Sequence, residues 1–373
     1  MRRTFIAFFV LLFAWSQGMA QSPKYSNEFL AIGVGARALG MSGCNTAIVN
    51  DVTAGYWNPA GLMLVPSSIQ VGLMHSEYFA GIAKYDYGGL AARIDSSSTA
   101  AFTFIRFGVD DIPNTTELID AEGNINYDRI TTFSAADYAF ILSYARNLHK
   151  LPGFRYGANV KIIHRKVGDF AHSWGFGLDL GAQYDVKKWT FGLVARDVTS
   201  TFNAWSYSLS DGMKETFTRT GNDIPENSLE LTMPRINVGV ARRFDFLKRF
   251  SALIDIDADF TFDGMRNVLV KSDPISIDPH AGLELGYGNF IFLRGGIGNI
   301  QNETDFTDKR HTTFQPNIGV GFTIKKMVSI DYALTDVGNA SIALYSHVFS
   351  LKFNINRKKQ VAGDDTKTKK SYF

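Results

Sequence analysis

Residues 172–186 read HSWGFGLDLGAQYDV and alternate strictly between two kinds of side chain. Glycine and polar residues occupy one face. The other face carries Trp174, Phe176, Leu178, Leu180, Ala182 and Tyr184. A period of two with one apolar face predicts a β-strand. The stretch exceeds the ~5–6 residues usual in soluble sheets and suffices for a membrane-spanning strand of ~9–11 residues.

The same alternation recurs along the chain and predicts fourteen strands. Their approximate bounds are 68–79, 81–95, 99–108, 134–147, 154–168, 172–186, 188–197, 231–244, 249–262, 276–287, 289–298, 313–325, 326–335 and 343–355. The gaps after even-numbered strands are short. The long gaps all follow odd-numbered strands and cover 109–133, 198–230, 263–275 and 299–312. Outer-membrane barrels have short periplasmic turns and longer outer loops, so this parity favours a barrel over a soluble β-sandwich.

Two aromatic residues of the opening stretch support the same fold. With a strand tilt near ~45°, Trp174 and Tyr184 lie roughly 23 Å apart along the membrane normal. That separation is close to the distance between the two aromatic girdles of a membrane barrel. We therefore predict an all-β protein, a 14-stranded antiparallel transmembrane outer-membrane β-barrel with an N-terminal plug.

Composition excludes several other classes of protein. The 373 residues have a mean hydropathy of −0.05, which argues against a polytopic helical membrane protein. The one cysteine excludes a disulfide framework and a multi-cysteine metal site. Without residues 1–20, which contain two arginines and no acid, 36 cations face 36 anions. A net charge of zero gives no reason to expect a nucleic-acid partner.

The ends of the chain predict four segments. Residues 1–20 resemble a secretory signal peptide, with a basic start, a short apolar run over 4–15 and a small-x-small cleavage site; a signal anchor is the alternative. Residues 21–67 are rich in glycine, alternate poorly and are predicted to plug the lumen, because fourteen strands enclose more space than their own side chains fill. The long loop 198–230 could share that role. The barrel covers 68–355, and a polar tail covers 356–373.

Four residues of the predicted plug are candidates for a plug or gate function. A charge among small residues needs a partner, so Arg37 is expected to pair with a lumen carboxylate, either Asp51 or the acidic row below. Asn58 and Pro59 are expected to form a turn, since Asn-Pro favours turn initiation, with a gate as the functional alternative.

One predicted strand carries an acidic row. Asp255, Asp257 and Asp259 share a face, and we expect them to line a wet lumen, with a bound cation as the alternative. Arg242 and Arg243 on the preceding strand could supply the opposing charge.

No recognisable catalytic motif is present, so no catalytic residue, metal site or cofactor is predicted, and the protein is not expected to be an enzyme. Gly33-x-Gly35-x-x-Ala38 matches a dinucleotide fingerprint in letters alone, because no βαβ pattern follows it. The seven histidines are scattered, and no Gly-x-Ser-x-Gly or His-Glu-x-x-His motif occurs.

Several motifs in the predicted plug and the last strands carry a family resemblance. They are Gly33–Gly43 (GVGARALGMSG), Trp57–Leu62 (WNPAGL), Asp278–Glu284 (DPHAGLE), Phe292–Gly296 (FLRGG), Ile330–Leu334 (IDYAL) and His347–Leu351 (HVFSL). The chain thereby resembles PorV/PorQ-type outer-membrane proteins of Bacteroidetes-like bacteria. The Asn58-Pro59-Ala60 segment is also similar to the N-terminal hatch of FadL-like transporters. Both resemblances imply a fourteen-stranded barrel.

The two resemblances imply different functions. A PorV/PorQ-type protein is a non-enzymatic accessory to type IX protein secretion that binds the translocon or secreted cargo domains, and this is the function we expect. The alternative is a FadL-like channel for uptake of hydrophobic small molecules. Such a channel would need an apolar pocket between plug and wall and a break in a wall strand, whereas the accessory would show an exposed apolar patch at the outer rim. Either function places the protein in the lipid of a Gram-negative outer membrane.

Overall fold

The computed structural model describes residues 26–79, 81–119, 123–304, 309–338 and 345–356. Its strands, in chain order, are β1 (Ile69–Tyr78), β2 (Ala83–Arg93), β3 (Ser98–Asn114), β4 (Thr131–Asn147), β5 (Phe154–Val167), β6 (Ala171–Val186), β7 (Trp189–Arg196), β8 (Phe202–Tyr207), β9 (Ser228–Leu231), β10 (Arg235–Phe246), β11 (Phe250–Thr261), β12 (Ser276–Tyr287), β13 (Ile291–Thr304), β14 (Arg310–Ile324), β15 (Val328–Thr335) and β16 (Ser346–Ile355). The helices are α1 (Ala36–Leu39), α2 (Ala54–Trp57) and α3 (Asp211–Arg219), and 3₁₀ turns cover Glu28–Leu30, Pro59–Leu64 and Tyr127–Arg129.

Fourteen of these strands close into an antiparallel barrel, as predicted. Strands β1–β7 and β10–β16 each pair with the next one around the ring, β7 pairs with β10, and β1 pairs with β16 to close it. The turns after β2, β4, β6, β10, β12 and β14 are short and lie at one end, the short-turn end. The longer connections lie at the opposite, long-loop end.

The outer face of the wall is apolar and the inner face is polar or glycine. In β6, Trp174 and Leu180 are about half exposed, while Ser173, Asp179 and Gln183 at the alternate positions are buried. This inverts the usual soluble pattern, because the outward face meets lipid instead of water. No helix among the described residues is long and apolar enough to cross a membrane.

Two parts of the wall differ from the predicted strands. The predicted loop 198–230 contains β8, α3 and β9, whose short pairing segments lack a long alternating pattern. β3 and β13 continue beyond the apolar alternation, to Asn114 and Thr304, and each contains an irregularity in its pairing. Backbone pairing therefore persists above the apolar belt, where polar side chains hide the period of two.

Residues 26–67, here called the inner segment, lie inside the barrel. They form three apolar clusters with the wall. In the first, Phe29, Leu30 and Tyr56 pack with Tyr85, Ile105, Ile141 and Ile163, and the second includes Val52, Leu62, Met63, Val65, Ala91, Ala101 and Ala145. The third joins Met41, Cys44, Ala47 and Ile48 to Ala241 of β10. The core of the molecule is thus between the inner segment and the wall, mostly at β1–β5 and to a smaller extent at β10, β15 and β16. The predicted signal peptide 1–20 and all of the tail but Asn356 lie outside the described residues.

Candidate functional site

Glycines on the inner face of the wall seat the inner segment. Nine of the fourteen barrel strands each place one glycine where a Cβ atom would collide with that segment or press against it. They are Gly72, Gly89, Gly157, Gly181, Gly192, Gly239, Gly282, Gly296 and Gly319. A Cβ on Gly282, for example, would lie 2.9 Å from the Met41 carbonyl oxygen. The glycine face seen in the sequence therefore allows two backbones to approach closely.

Arg37 pairs with a lumen carboxylate, but the partner is neither of those that we named. Its Nε donates to Glu284 Oε2 at 2.9 Å, and its Nη1 donates to Asn50 Oδ1 at 2.8 Å. Glu284 also accepts from Arg294 Nε at 2.7 Å, and Arg294 Nη1 donates to Asp331 Oδ1 at 2.7 Å.

Asp51 closes the same charge network from the other side. Its Oδ2 accepts from Lys352 Nζ at 2.8 Å, and Lys352 lies 3.3 Å from Asp331. Burial alone would raise the pKa of Asp51, but the charges of Lys352 and Arg37 outweigh it and hold the pKa below its usual range. Three cations and three carboxylates thus join the inner segment to β12, β13, β15 and β16.

Asn58 and Pro59 fix the turn between α2 and the following 3₁₀ turn. Asn58 is fully buried, its Oδ1 accepts from Ala60 N at 3.2 Å, and its Nδ2 donates to the Thr46 and Ala182 carbonyls at 2.9 and 3.1 Å. Pro59 packs against Gly157 and Gly181 of the wall. The pair therefore anchors the inner segment, and its function as a gate stays a prediction.

The acidic row faces inward, but only its outer end is wet. Asp257 is 2% exposed, and its Oδ2 accepts from Asn45 N and Thr46 N at 3.0 and 2.9 Å. Asp255 is fully buried, and neither of its oxygens has a hydrogen-bond partner among the described residues. Asp259, the partly exposed member, accepts from Asn237. In the described part of the chain no group of three or more His, Cys, Asp or Glu residues could hold a metal ion.

The two arginines expected to oppose this row are not its partners. Arg242 stacks on Trp189 at 4.8 Å from the ring centroid, and Arg243 pairs with Asp245 at 3.0 Å. On β10 the inward positions opposite the acidic row are Asn237, Gly239 and Ala241. One register step separates Arg242 from that face, which the sequence pattern alone did not resolve.

The wall is interrupted at one level between β6 and β11. β7 ends at Arg196 and β8 resumes at Phe202, and both pair with β6. Across from this gap, β9 ends at Leu231 and β10 begins at Arg235. The intervening residues 197–201 include two non-glycine residues in the left-handed region, Asp197 and Ser200. Regular strand pairing is therefore interrupted at this level of the wall, and whether this interruption opens a path stays a prediction.

Buried polar side chains occupy the interruption. Lys161 bridges Asp179, at 2.7 Å, and Asp197, which also accepts from Thr201 Oγ1 at 2.6 Å. From the inner segment, Asn27 Nδ2 donates to Thr232 Oγ1 at 2.7 Å. The start of the inner segment is thus tied to the broken part of the wall.

A cavity of about 620 Å³ lies between the inner segment and the long-loop half of the wall. One side of it is apolar and aromatic. That side is formed by Ala31, Ile32, Leu39, Trp57, Tyr78 and Phe79. The predicted apolar pocket is therefore present on one side of the lumen only.

The other side of the cavity is polar and carries a row of carboxamides. Gln301 donates to Asn299 at 2.6 Å, Asn299 to Gln315 at 3.2 Å, Gln315 to Asn317 at 3.3 Å, and Asn317 to Ser42 of the inner segment at 3.0 Å. Each carboxamide has two N–H donors and two lone pairs, so the row keeps hydrogen-bonding capacity after these contacts. Sequence reasoning missed the row because its members come from the polar ends of β13 and β14.

Charged groups border the same cavity. His280 Nε2 lies 3.7 Å from Asp278 and 3.9 Å from Asp259, and Arg235 and Arg266 complete the rim. The cavity combines an apolar face with hydrogen-bonding and charged groups. Such a surface suits a small molecule that has an apolar body and polar substituents.

Comparison with known proteins finds similarity at the level of the fold. No protein-family model and no curated protein sequence matches the chain. Among solved structures, the CymD monoaromatic hydrocarbon channel is similar with a TM-score of 0.54 and 13% identity, covering 87% of this chain and 98% of that one. The toluene transporters TbuX of Ralstonia pickettii (TM-score 0.53) and TodX of Pseudomonas putida (0.54) are each 15% identical and cover 87% of this chain and 99% of their own. The chain therefore has the fold of these outer-membrane barrels, and its apolar outer belt fits a bilayer.

Proposed function

We propose that the protein is a non-enzymatic outer-membrane channel of the FadL-like kind that admits a small, largely apolar molecule. The observation that carries this proposal is the cavity of about 620 Å³ above the inner segment, with Trp57, Tyr78 and Phe79 on its apolar side. The fold shared with hydrocarbon and toluene transporters supports the same function. Because the carboxamide row lines the other side of the cavity, we infer that the molecule also carries hydrogen-bonding groups.

The inner segment acts as plug and gate in this proposal. It closes the lumen on the short-turn side of the cavity, where the glycine seats and the network of Arg37, Asp51 and Glu284 hold it. A molecule in the cavity therefore reaches the short-turn end only when this segment shifts. Water can replace the polar contacts when the segment shifts, whereas the apolar clusters with the wall resist the shift.

A reversible crosslink tests whether the segment moves. A Cβ on Gly55 lies 3.9 Å from the Ala101 Cβ of β3, within the range of a disulfide. Gly55→Cys with Ala101→Cys is made in a Cys44→Ala background and reconstituted in lipid vesicles, and toluene entry is measured. We expect the oxidised protein to lose at least ~10-fold in uptake and dithiothreitol to restore it.

The two single-cysteine variants control for crowding at Gly55. Equal uptake before and after oxidation would overturn the gate. Toluene binding is measured separately, so that the channel is tested independently of the gate. Trp57→Ala removes an aromatic ring that lines the cavity. Trp174→Ala is the control, because it removes an aromatic ring on the lipid-facing side of the wall. If both variants bind toluene as the native protein does, the cavity is not the site.

Accessory function in type IX secretion is the second candidate. The observation that favours it is a set of exposed apolar residues at the long-loop end, including Tyr127 (71% exposed), Leu229 (61%) and Met265 (60%). A gentle detergent pull-down from native outer membranes separates the two functions. Recovery of a translocon barrel or of cargo proteins that share a C-terminal domain supports secretion, and an apolar molecule without a protein partner supports the channel.

A further inference from the structure

The turns of the short-turn end form a continuous row on one side of the barrel. Arg243 N donates to the Lys188 carbonyl at 3.2 Å, Gly288 N to the Arg249 carbonyl at 2.7 Å, and Thr323 N to the Phe290 carbonyl at 2.9 Å. These bonds join the turns that follow β6, β10, β12 and β14. We call this row the basic arc.

The basic arc carries exposed cations without anionic partners. In the part of the chain that the structure describes, none of the following forms an ion pair: Lys187, Lys188, Lys248, Arg249, Lys325 and Lys326. The nearby carboxylates are already engaged, Asp185 by Arg155 and Asp245 by Arg243. The remaining turns of the same end, 94–97 and 148–153, contain one acid and one lysine. Positive charge is therefore concentrated on one side.

Four of these lysines occupy backbone conformations that disfavour them. Lys187, Lys248, Lys325 and Lys326 have φ values between 50° and 58°. The left-handed region costs an L-residue free energy, and tight hairpin turns usually place Gly or Asn there. The turn after β12 follows that rule with Gly288 and Asn289. Lysine at a position that local rules would give to Gly or Asn indicates a function for the charge.

A groove beside the arc supplies an apolar surface next to the charge. It measures about 640 Å³ and is lined by Arg243, Lys248 and Arg249 together with exposed aromatic rings. Phe250 lies 6.0 Å from Phe246 and 4.9 Å from Tyr287, measured between ring centroids. These rings belong to the outward, lipid-facing belt of the wall. Cations directly below an aromatic lipid-facing surface match a phosphate headgroup with its acyl chains.

We propose that the basic arc binds anionic phospholipid of the inner leaflet of the membrane. The charge complementarity and the adjoining groove carry this assignment, and it is independent of what passes through the lumen. Short turns face the periplasm in outer-membrane barrels, so the leaflet within reach is the phospholipid one.

The test counts lipids retained by the whole protein. The native protein in mild detergent is titrated with phosphatidylglycerol, phosphatidylcholine or lipopolysaccharide and examined by native mass spectrometry. The same is done for a variant with Lys248, Arg249, Lys325 and Lys326 each changed to Gln. We expect phosphatidylglycerol to be retained over phosphatidylcholine, and the variant to lose at least ~10-fold in that retention.

A matched variant controls for net charge by changing four exposed cations of the long-loop end to Gln: Arg129, Lys166, Lys214 and Lys271. It should retain phosphatidylglycerol as the native protein does. Equal retention of the two phospholipids by the native protein, or equal loss in both variants, would overturn the proposal. Preference for lipopolysaccharide would also overturn it, because that lipid belongs to the opposite leaflet.

A second substitution separates charge from backbone strain. Lys325→Asn with Lys326→Gly relieves the left-handed turn, so the melting temperature in detergent should rise by about 2–4 °C. Retention of phosphatidylglycerol should fall in the same protein. A higher melting temperature without any loss of phosphatidylglycerol retention would show that these two lysines are not part of a lipid site.

Discussion

The inner segment fits against the wall only because single glycines of the wall carry no Cβ atom. Gly296 faces Met41 so closely that a Cβ would overlap the Met41 backbone, while the adjacent Gly295 faces outward with its nearest neighbour 4.0 Å away. We predict that Gly296→Val displaces the segment and raises single-channel conductance several-fold in planar bilayers. Overpacking against backbone costs about 1–3 kcal/mol or more, so the melting temperature should fall as well. Gly295→Val is the control on the same strand, and equal conductance in the two variants would contradict the seating.

The charge of Asp51 predicts a pH-dependent stability. Its folded pKa lies below the ordinary 3.8, so its contribution is fully present above about pH 5 and is lost as the pH falls through the folded value. Asp51→Asn should therefore lower the free energy of unfolding by on the order of 2 kcal/mol at pH 7. At pH 2 the difference should be smaller, because the carboxyl group is then largely protonated in the unfolded chain. Urea unfolding in lipid vesicles at both pH values measures it, and a gap that is independent of pH would contradict the pairing with Lys352.

At the scale of elements, the interrupted wall depends on one buried lysine. Lys161, Asp179 and Asp197 each have side chains at most 5% exposed, and Lys161 contacts both carboxylates. Lys161→Met leaves two buried carboxylates without this cation, which we expect to cost about 3–5 kcal/mol of unfolding free energy. Lys84→Met at the exposed pair with Asp110 is the control, with an expected loss under about 1 kcal/mol. If both variants melt alike, the cluster does not support the interruption.

The sequence predicts those strands in which one face contacts lipid along the whole length. The alternation in 172–186 predicts β6 and its outward face, because apolar side chains must point to the bilayer along its whole length. Where the wall rises above the apolar belt, β8 and β9 have only six and four residues, which is too short for a period of two to be recognised. The sequence pattern therefore predicts the strands that face lipid, but it does not reveal the short strands β8 and β9 at the long-loop end.

The sequence predicts what kind of contact a residue makes in the lumen, but it does not predict which residue is the partner. A buried Arg37 demands a carboxylate, yet whether Glu284 or Asp51 supplies it depends on barrel register and on how the inner segment enters. The carboxamide row likewise joins β13, β14 and Ser42 across more than 250 positions of sequence. Local pattern carries no signal for such distant contacts, although the glycine face of the wall was visible from the start.

At the scale of the whole molecule, the inner segment and the wall form one folding unit. The wall supplies glycine seats and buried aromatic residues, such as Tyr85 and Tyr87, that share an apolar cluster with Phe29 and Leu30 of the segment. Deleting residues 27–65 should leave a water-filled pore, since fourteen strands are too many to fill by side chains alone. We predict a large, constant conductance in planar bilayers and a melting temperature lower by at least ~10 °C, because all three apolar clusters lose their inner-segment residues. A deletion variant that stays closed and equally stable would show that the wall fills its own lumen.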